Sequence, residues 1–271
     1  GAQAVAPSDI LVVLRNLSGE LASIREIFVR YGIPFSTSVA PRLGSAPSVR
    51  AFFTLLRLAD EDWPLRELTS WIGNNYFSPA WREAGSTAAA REFVRRVAAP
   101  QGREALVELA TRLASSDEDE RKPSESSRRA TIAELAGQAL PLLKRLSSVL
   151  ESLSAERTLD EWSDQFRRLA IELGMFGQTM ATDEGSGGER ADSRALFQLF
   201  DALAESGDRF GGSGRTSYSL TAVRRLLTEI AAWQSLPDRS QAFGGVTVLP
   251  AIAARAVTTP VVFLARLTES A

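Results

Sequence analysis

Apolar residues follow two patterns along this chain. Near both ends they form short, nearly continuous runs: Ile10-Leu11-Val12-Val13-Leu14, Val246-Thr247-Val248-Leu249 and Val261-Val262-Phe263-Leu264. Runs this short and rich in β-branched residues predict strands of a parallel sheet, buried on both faces. Between them, apolar positions recur every three or four residues, the period of an amphipathic helix. The pattern predicts an α/β fold: a small parallel sheet formed by both chain ends, with a large all-helical subdomain inserted. The sheet core takes residues 1–59 and 241–271, and the helical insertion takes 60–240.

The first strand is expected over 9–14. Leu21, Ile24, Ile27, Phe28 and Tyr31 share one face of a helix over 17–31, with Ser18 as its cap and Gly32 as its stop. Pro34 holds Ile33 extended. A helix over 45–59 is apolar on most sides, and shorter helices are expected over 65–72, 87–98 and 103–115. Residues 116–127 are Ser, Pro and mixed charge, which predicts a mobile or solvent-facing loop. A long helix over 131–153 contains Pro141, a kink site. Thr158 and Glu161 form a capping box for a helix running to Leu173, with Trp162 and Phe166 inside. Residues 182–190 read as a second flexible loop and 207–214 as a break between helices over 194–205 and 221–233. Trp162 and Trp233 fall on apolar helix faces and are assigned to the core.

Composition narrows the chemistry. The 271 residues are 44% hydrophobic and 24% charged, as in an ordinary globular protein. The absence of Cys and His excludes disulfides, thiolate nucleophiles, Ser-His triads and the common zinc sites. A net charge of −2 gives no global attraction to nucleic acid. There is no bilayer-spanning apolar stretch and no signal peptide, so no membrane association and a cytoplasmic location are expected. The chain opens Gly-Ala-Gln-Ala and enters a strand almost at once, which reads as a piece of a longer protein.

Several motifs fail on inspection. Gly211-Gly212-Ser213-Gly214-Arg215-Thr216 has neither the spacing nor the Lys of a phosphate loop, and no strand precedes it. Glu120-Arg121-Lys122 lacks the strand and upstream Asp that a nuclease metal site needs. Asp60-Glu61-Asp62 offers carboxylates for Mg²⁺, but a solvated turn between helices is the simpler reading. Trp63, Trp71 and Trp81 have rings suited to base stacking; packing between the two subdomains is the expected role.

The two ends together resemble a known family. Asp9-Ile10-Leu11-Val12-Val13-Leu14-Arg15-Asn16, a helix, then Tyr31-Gly32-Ile33-Pro34-Phe35 resembles the opening of the second RecA-like domain of UvrD-type superfamily-1 DNA helicases. The segment from Ser45 to Leu58 is similar to the next segment of that domain. The tail, a strand, a turn with Arg255 and a second strand, resembles motif V, and the variant is closest to AddB-type subunits of bacterial helicase–nucleases. Thr158-Leu159-Asp160-Glu161-Trp162 is similar to a helix of the helical insertion in those proteins.

The chain departs from the pattern at Pro250 and Ile252, where the helicase turn has Thr and His. Ala256 stands for its Gly, Thr258 for its acidic residue and Arg266 for a later Gly. The phosphate loop and Mg²⁺ acid belong to a first RecA-like domain that is not part of this sequence. The resemblance therefore implies no catalytic or metal-binding residue and no cofactor here, with ATP and Mg²⁺ belonging to the parent protein. It implies a nucleotide-contacting role for Arg15, set against capping a strand or pairing with an acid. It implies a DNA-contacting role for Arg255, set against an exposed turn charge.

Three functions are expected on these grounds. The first is a non-catalytic scaffold or DNA track in a DNA repair and recombination helicase–nuclease, an exonuclease subunit of the AddB type. Its partners would be single-stranded DNA, bound weakly, and either the missing first RecA-like domain or a partner subunit. The second is the second motor half of an active ATP-dependent helicase. The third is an unrelated helical interaction domain.

Overall fold

The computed structural model describes residues 5–38, 41–81, 85–97, 102–115, 123–176, 187–210, 216–236 and 244–265. The chain divides into two compact units, Gly1–Leu43 with Trp233–Ala271, and Gly44–Ala232.

The first is an α/β unit. Strands β1 (Ile10–Leu14), β2 (Phe35–Thr37), β3 (Val246–Pro250) and β4 (Val261–Ala265) form one sheet in the order β2-β3-β1-β4, every pairing parallel. Both chain ends thus build the sheet, as their apolar runs predict. Helix α1 (Leu17–Arg30) joins β1 to β2. Its Leu17 and Leu21 pack with Leu14, Phe35, Val246 and Val248 on one face of the sheet. Leu11, Val13 and Leu249 form the opposite face, against which Ala254 packs.

Local sequence explains the joints. The cap of α1 is Asn16 rather than the expected Ser18: its Oδ1 accepts the Gly19 N–H at 3.3 Å. Gly32, at φ 63°, ends the helix as expected, and the Ile33 N–H reaches back to the Phe28 carbonyl at 2.8 Å. Gly245 lies where β3 begins alongside β2. A Cβ there would stand 2.5 Å from the Pro34 carbonyl, so only glycine fits.

Two expectations about burial fail in this unit. Ile27 and Tyr31, expected on the inner face of α1, are exposed. Strand β4, expected to be buried on both faces, is instead an edge strand, and Val262, Phe263 and Leu264 are 48%, 56% and 63% exposed. Adjacent residues of a strand point to opposite faces, so β4 shows apolar side chains on both.

The second unit is helical. It comprises α2 (Pro47–Asp60), α3 (Leu65–Ile72), α4 (Thr87–Arg96), α5 (Arg103–Ala114), α6 (Pro123–Glu151), α7 (Leu159–Glu172), α8 (Gly187–Phe210) and α9 (Leu220–Trp233), whose last residue belongs to the α/β unit. Helix α6 packs against α4 and α5, α7 against α8, and α2 against α3 and α8. The boundary falls after Leu43 rather than after residue 59, which moves α2 out of the sheet core. The physical reason is Phe52, fully buried with its ring 5.2 Å from Phe166 of α7 and 5.0 Å from Phe200 of α8. The expected capping box at the start of α7 is formed: Thr158 Oγ1 accepts the Glu161 N–H at 3.3 Å, and Glu161 Oε2 accepts the Thr158 N–H at 3.0 Å.

The polar stretches hold more helix than their composition indicates. Residues 123–127, expected in a loop, open α6, with Pro123 at a position that needs no N–H. Residues 187–190 and 207–210, expected in loops, are the two ends of α8. Helix α6 continues through Pro141. The Gly211–Arg215 part of the rejected phosphate loop and Glu120-Arg121-Lys122 lie outside the described residues, as does Arg266.

Candidate nucleic-acid interface

Open parallel sheets present their binding loops at the carboxyl ends of the strands. Here those loops come from β1, β2 and β3, and the exits of the two central strands are joined directly. Leu14 pairs with Pro250, and the Leu14 carbonyl accepts the Ala251 N–H at 2.9 Å.

Arg15 comes directly after Leu14. It is set between a strand end and the Asn16 cap of α1, and its side chain is exposed. The exit of β3 turns at once, with the Ala253 N–H on the Pro250 carbonyl at 2.9 Å. A single 3-10 turn comes next, over Ala254–Ala256. Ala254 seats this turn on the sheet, and Arg255 beside it is exposed. Arg15 and Arg255 therefore leave from neighbouring strand ends, but the chain leaves β1 toward the face covered by α1 and leaves β3 toward the other.

The exit of β2 carries residues that the sequence did not single out. Beyond Thr37, residues 41–43 run antiparallel to 234–236. The Leu43 N–H donates to the Gln234 carbonyl and the Leu236 N–H to the Pro41 carbonyl, both at 2.8 Å. Between them, Arg42 Nη1 donates to the Trp233 carbonyl at 2.8 Å and to Ser235 Oγ at 3.4 Å. Trp233, assigned to the core by its helical spacing, is 74% exposed. The phase of α9 explains this. Val223, Leu227 and Ala231 are its buried stripe, and Trp233 lies two residues past it, about 200° around the helix. Trp233 shares its phase with Leu226 and Ile230, both only half-buried.

Residues 15–16, 38–43 and 251–260 together contain Arg15, Arg42 and Arg255 and no carboxylate. Glu20 lies in the first turn of α1, just beyond Arg15, so these strand exits carry three guanidinium groups and one nearby carboxylate.

The rejected sites resolve differently from one another. Trp63 and Trp71 are buried inside the helical unit and offer no stacking face. Trp81 packs edge-on to Phe77 beneath the Arg145 guanidinium. The acidic triplet is not simply solvated. Asp60, its side chain only 13% exposed, accepts from Thr221 Oγ1 at 2.6 Å and pairs with Arg224 Nη2 at 2.9 Å. Glu61 and Asp62 are exposed, yet Glu61 accepts from Arg224 Nη1 at 3.2 Å and Asp62 accepts the Arg103 N–H at 3.0 Å. The triplet is a junction between α2, α5 and α9. Among the described residues no three His, Cys, Asp or Glu side chains are grouped to hold a metal ion. No helix among them is long and apolar enough to cross a membrane.

Neither the known protein-family models nor the curated proteins contain a match to this chain.

Proposed function

We propose that this chain is a non-catalytic, helicase-like part of a cytoplasmic DNA repair and recombination helicase–nuclease, of the AddB type, serving as scaffold and single-stranded DNA track. The observation that carries the reading is the junction of the β1 and β3 exits. Two strands from opposite ends of the sequence lie side by side, and Arg15 and Arg255 follow their neighbouring exits. In this reading Arg255 contacts the DNA backbone, while the parent protein supplies ATP and Mg²⁺ through another domain or subunit.

A second reading, the second half of an active helicase motor, draws on Arg15. In this reading Arg15, which follows the carboxyl end of a central strand, stabilises phosphate charge supplied by a separate nucleotide-binding domain.

The test is fluorescence anisotropy of a labelled oligo(dT) at several salt concentrations. Weak binding that fades steeply with salt is expected, because phosphate neutralisation releases counterions. Arg255→Glu should lower the salt slope by about 1, as for one lost phosphate contact, and Arg121→Glu should change little. Equal losses in both variants would indicate generic charge attraction and no track. The purified chain should show no DNA-stimulated ATPase. Turnover abolished by a single substitution within it would overturn the reading.

A further inference from the structure

The exit of β2 adds a different kind of contact to the two arginines. Trp233 ends α9 with most of its indole in water, and the backbone beneath it is fixed. Arg42 donates to its carbonyl, and backbone bonds on either side tie 234–236 to 41–43. The result is an exposed indole whose backbone is hydrogen-bonded to the ribbon that follows β2.

Resting on the DNA-track reading above, we propose that Trp233 is a base-stacking platform for single-stranded DNA, with Arg42 as its positioning residue. Single-strand sites combine cationic groups that track the backbone with aromatic rings that stack on bases, and stacking tolerates any sequence. Arg255 supplies the first element and Trp233 the second. Hydrogen bonds to its backbone limit the freedom the segment loses on binding, which favours a contact made by one ring.

The test uses the full chain and oligo(dT) at fixed low salt. Trp233→Ala should weaken binding at least about fivefold, and Trp233→Phe should retain most of the affinity. Stacking releases no counterion, so Trp233→Ala should leave the salt slope unchanged, unlike Arg255→Glu. Tryptophan emission should be quenched on DNA addition in the parent and much less in Trp233→Phe. Binding that is sensitive to Arg255→Glu but equal in the parent and Trp233→Ala would overturn the platform and leave the track standing. No binding by the parent at low salt would overturn the track and the platform with it. Burial of Trp233 on raising protein concentration without DNA would assign the indole to a protein contact, and the platform would fall. The side chain is exposed, so its variants should fold, which circular dichroism checks.

Discussion

Arg224 of α9 lies 2.9 Å from the carboxylate of Asp60 at the end of α2, joining two helices that are far apart in sequence. The pair is largely shielded from solvent, and Asp60 also accepts from Thr221. Removing one partner leaves the other charge partly desolvated, which costs more than an exposed ion pair is worth. Asp60→Ala should destabilise the helical unit by about 2 kcal/mol. The Asp60→Ala/Arg224→Ala double variant should lose less than the sum of the singles, by about 1 kcal/mol. Urea titrations of the four proteins measure the coupling; strict additivity would mean that the two side chains do not cooperate.

The capping box at Thr158 gives a second prediction. Thr158→Ala leaves the Glu161 N–H without its acceptor and should cost about 1 kcal/mol, whereas Thr158→Ser should be near neutral. Trp162 reports on this helix because its indole N–H donates to the Tyr218 carbonyl at 2.8 Å. Its emission during urea unfolding should shift to a lower midpoint for Ala and not for Ser.

Two phenylalanines separate core from edge. Phe52 is enclosed by Phe166 and Phe200, so Phe52→Ala should cost about 3–5 kcal/mol. Phe263 on β4 is more than half exposed, and Phe263→Ala should cost under about 1 kcal/mol. Comparable losses at both positions in thermal unfolding would mean that β4 is covered.

Gly245→Ala forces a methyl group against Pro34 where β3 meets β2. The expected cost is about 1–3 kcal/mol, confined to the α/β unit. Hydrogen exchange should rise at β1 and β3 amides and stay unchanged in α7 and α8. A uniform rise across the chain would show that the two units unfold together.

The sheet was legible because Ile10–Leu14 and Val246–Leu249 are apolar runs too short for helices, and each finds a parallel neighbour. The place of β4 was not. A run such as Val-Val-Phe-Leu reads alike in a central or an edge strand, because what decides burial is the element beyond it. Helix α2 was visible as a helix, but its partners Phe166 and Phe200 come from far along the chain, so its unit was not. Trp233 shows the limit of periodicity at a terminus. It shares its phase with the apolar Leu226 and Ile230, which reads as a core face, yet the buried stripe of α9 runs through Val223, Leu227 and Ala231. Arg15 and Arg255 were identified from flanking pattern, whereas Arg42 carries no pattern and is found only through its bonds to Trp233 and Ser235.

The short antiparallel ribbon between 41–43 and 234–236 bears on the order in which this chain folds. Pairing β2 with β3 closes a very long loop if the intervening residues are unstructured. Once the helical unit has formed, Gly44 lies against Ala231, 3.3 Å from a Cβ placed on the glycine to the Ala231 carbonyl, and the loop is effectively short. Because closure entropy grows with the logarithm of length, prior folding of the helices lowers the barrier to sheet pairing by roughly 2–3 kcal/mol. In pulse-labelled refolding, amides of α7 and α8 should become protected before those of β2 and β3. The sheet would then be the last part of the chain to assemble, although its first strand precedes every α-helix in the sequence.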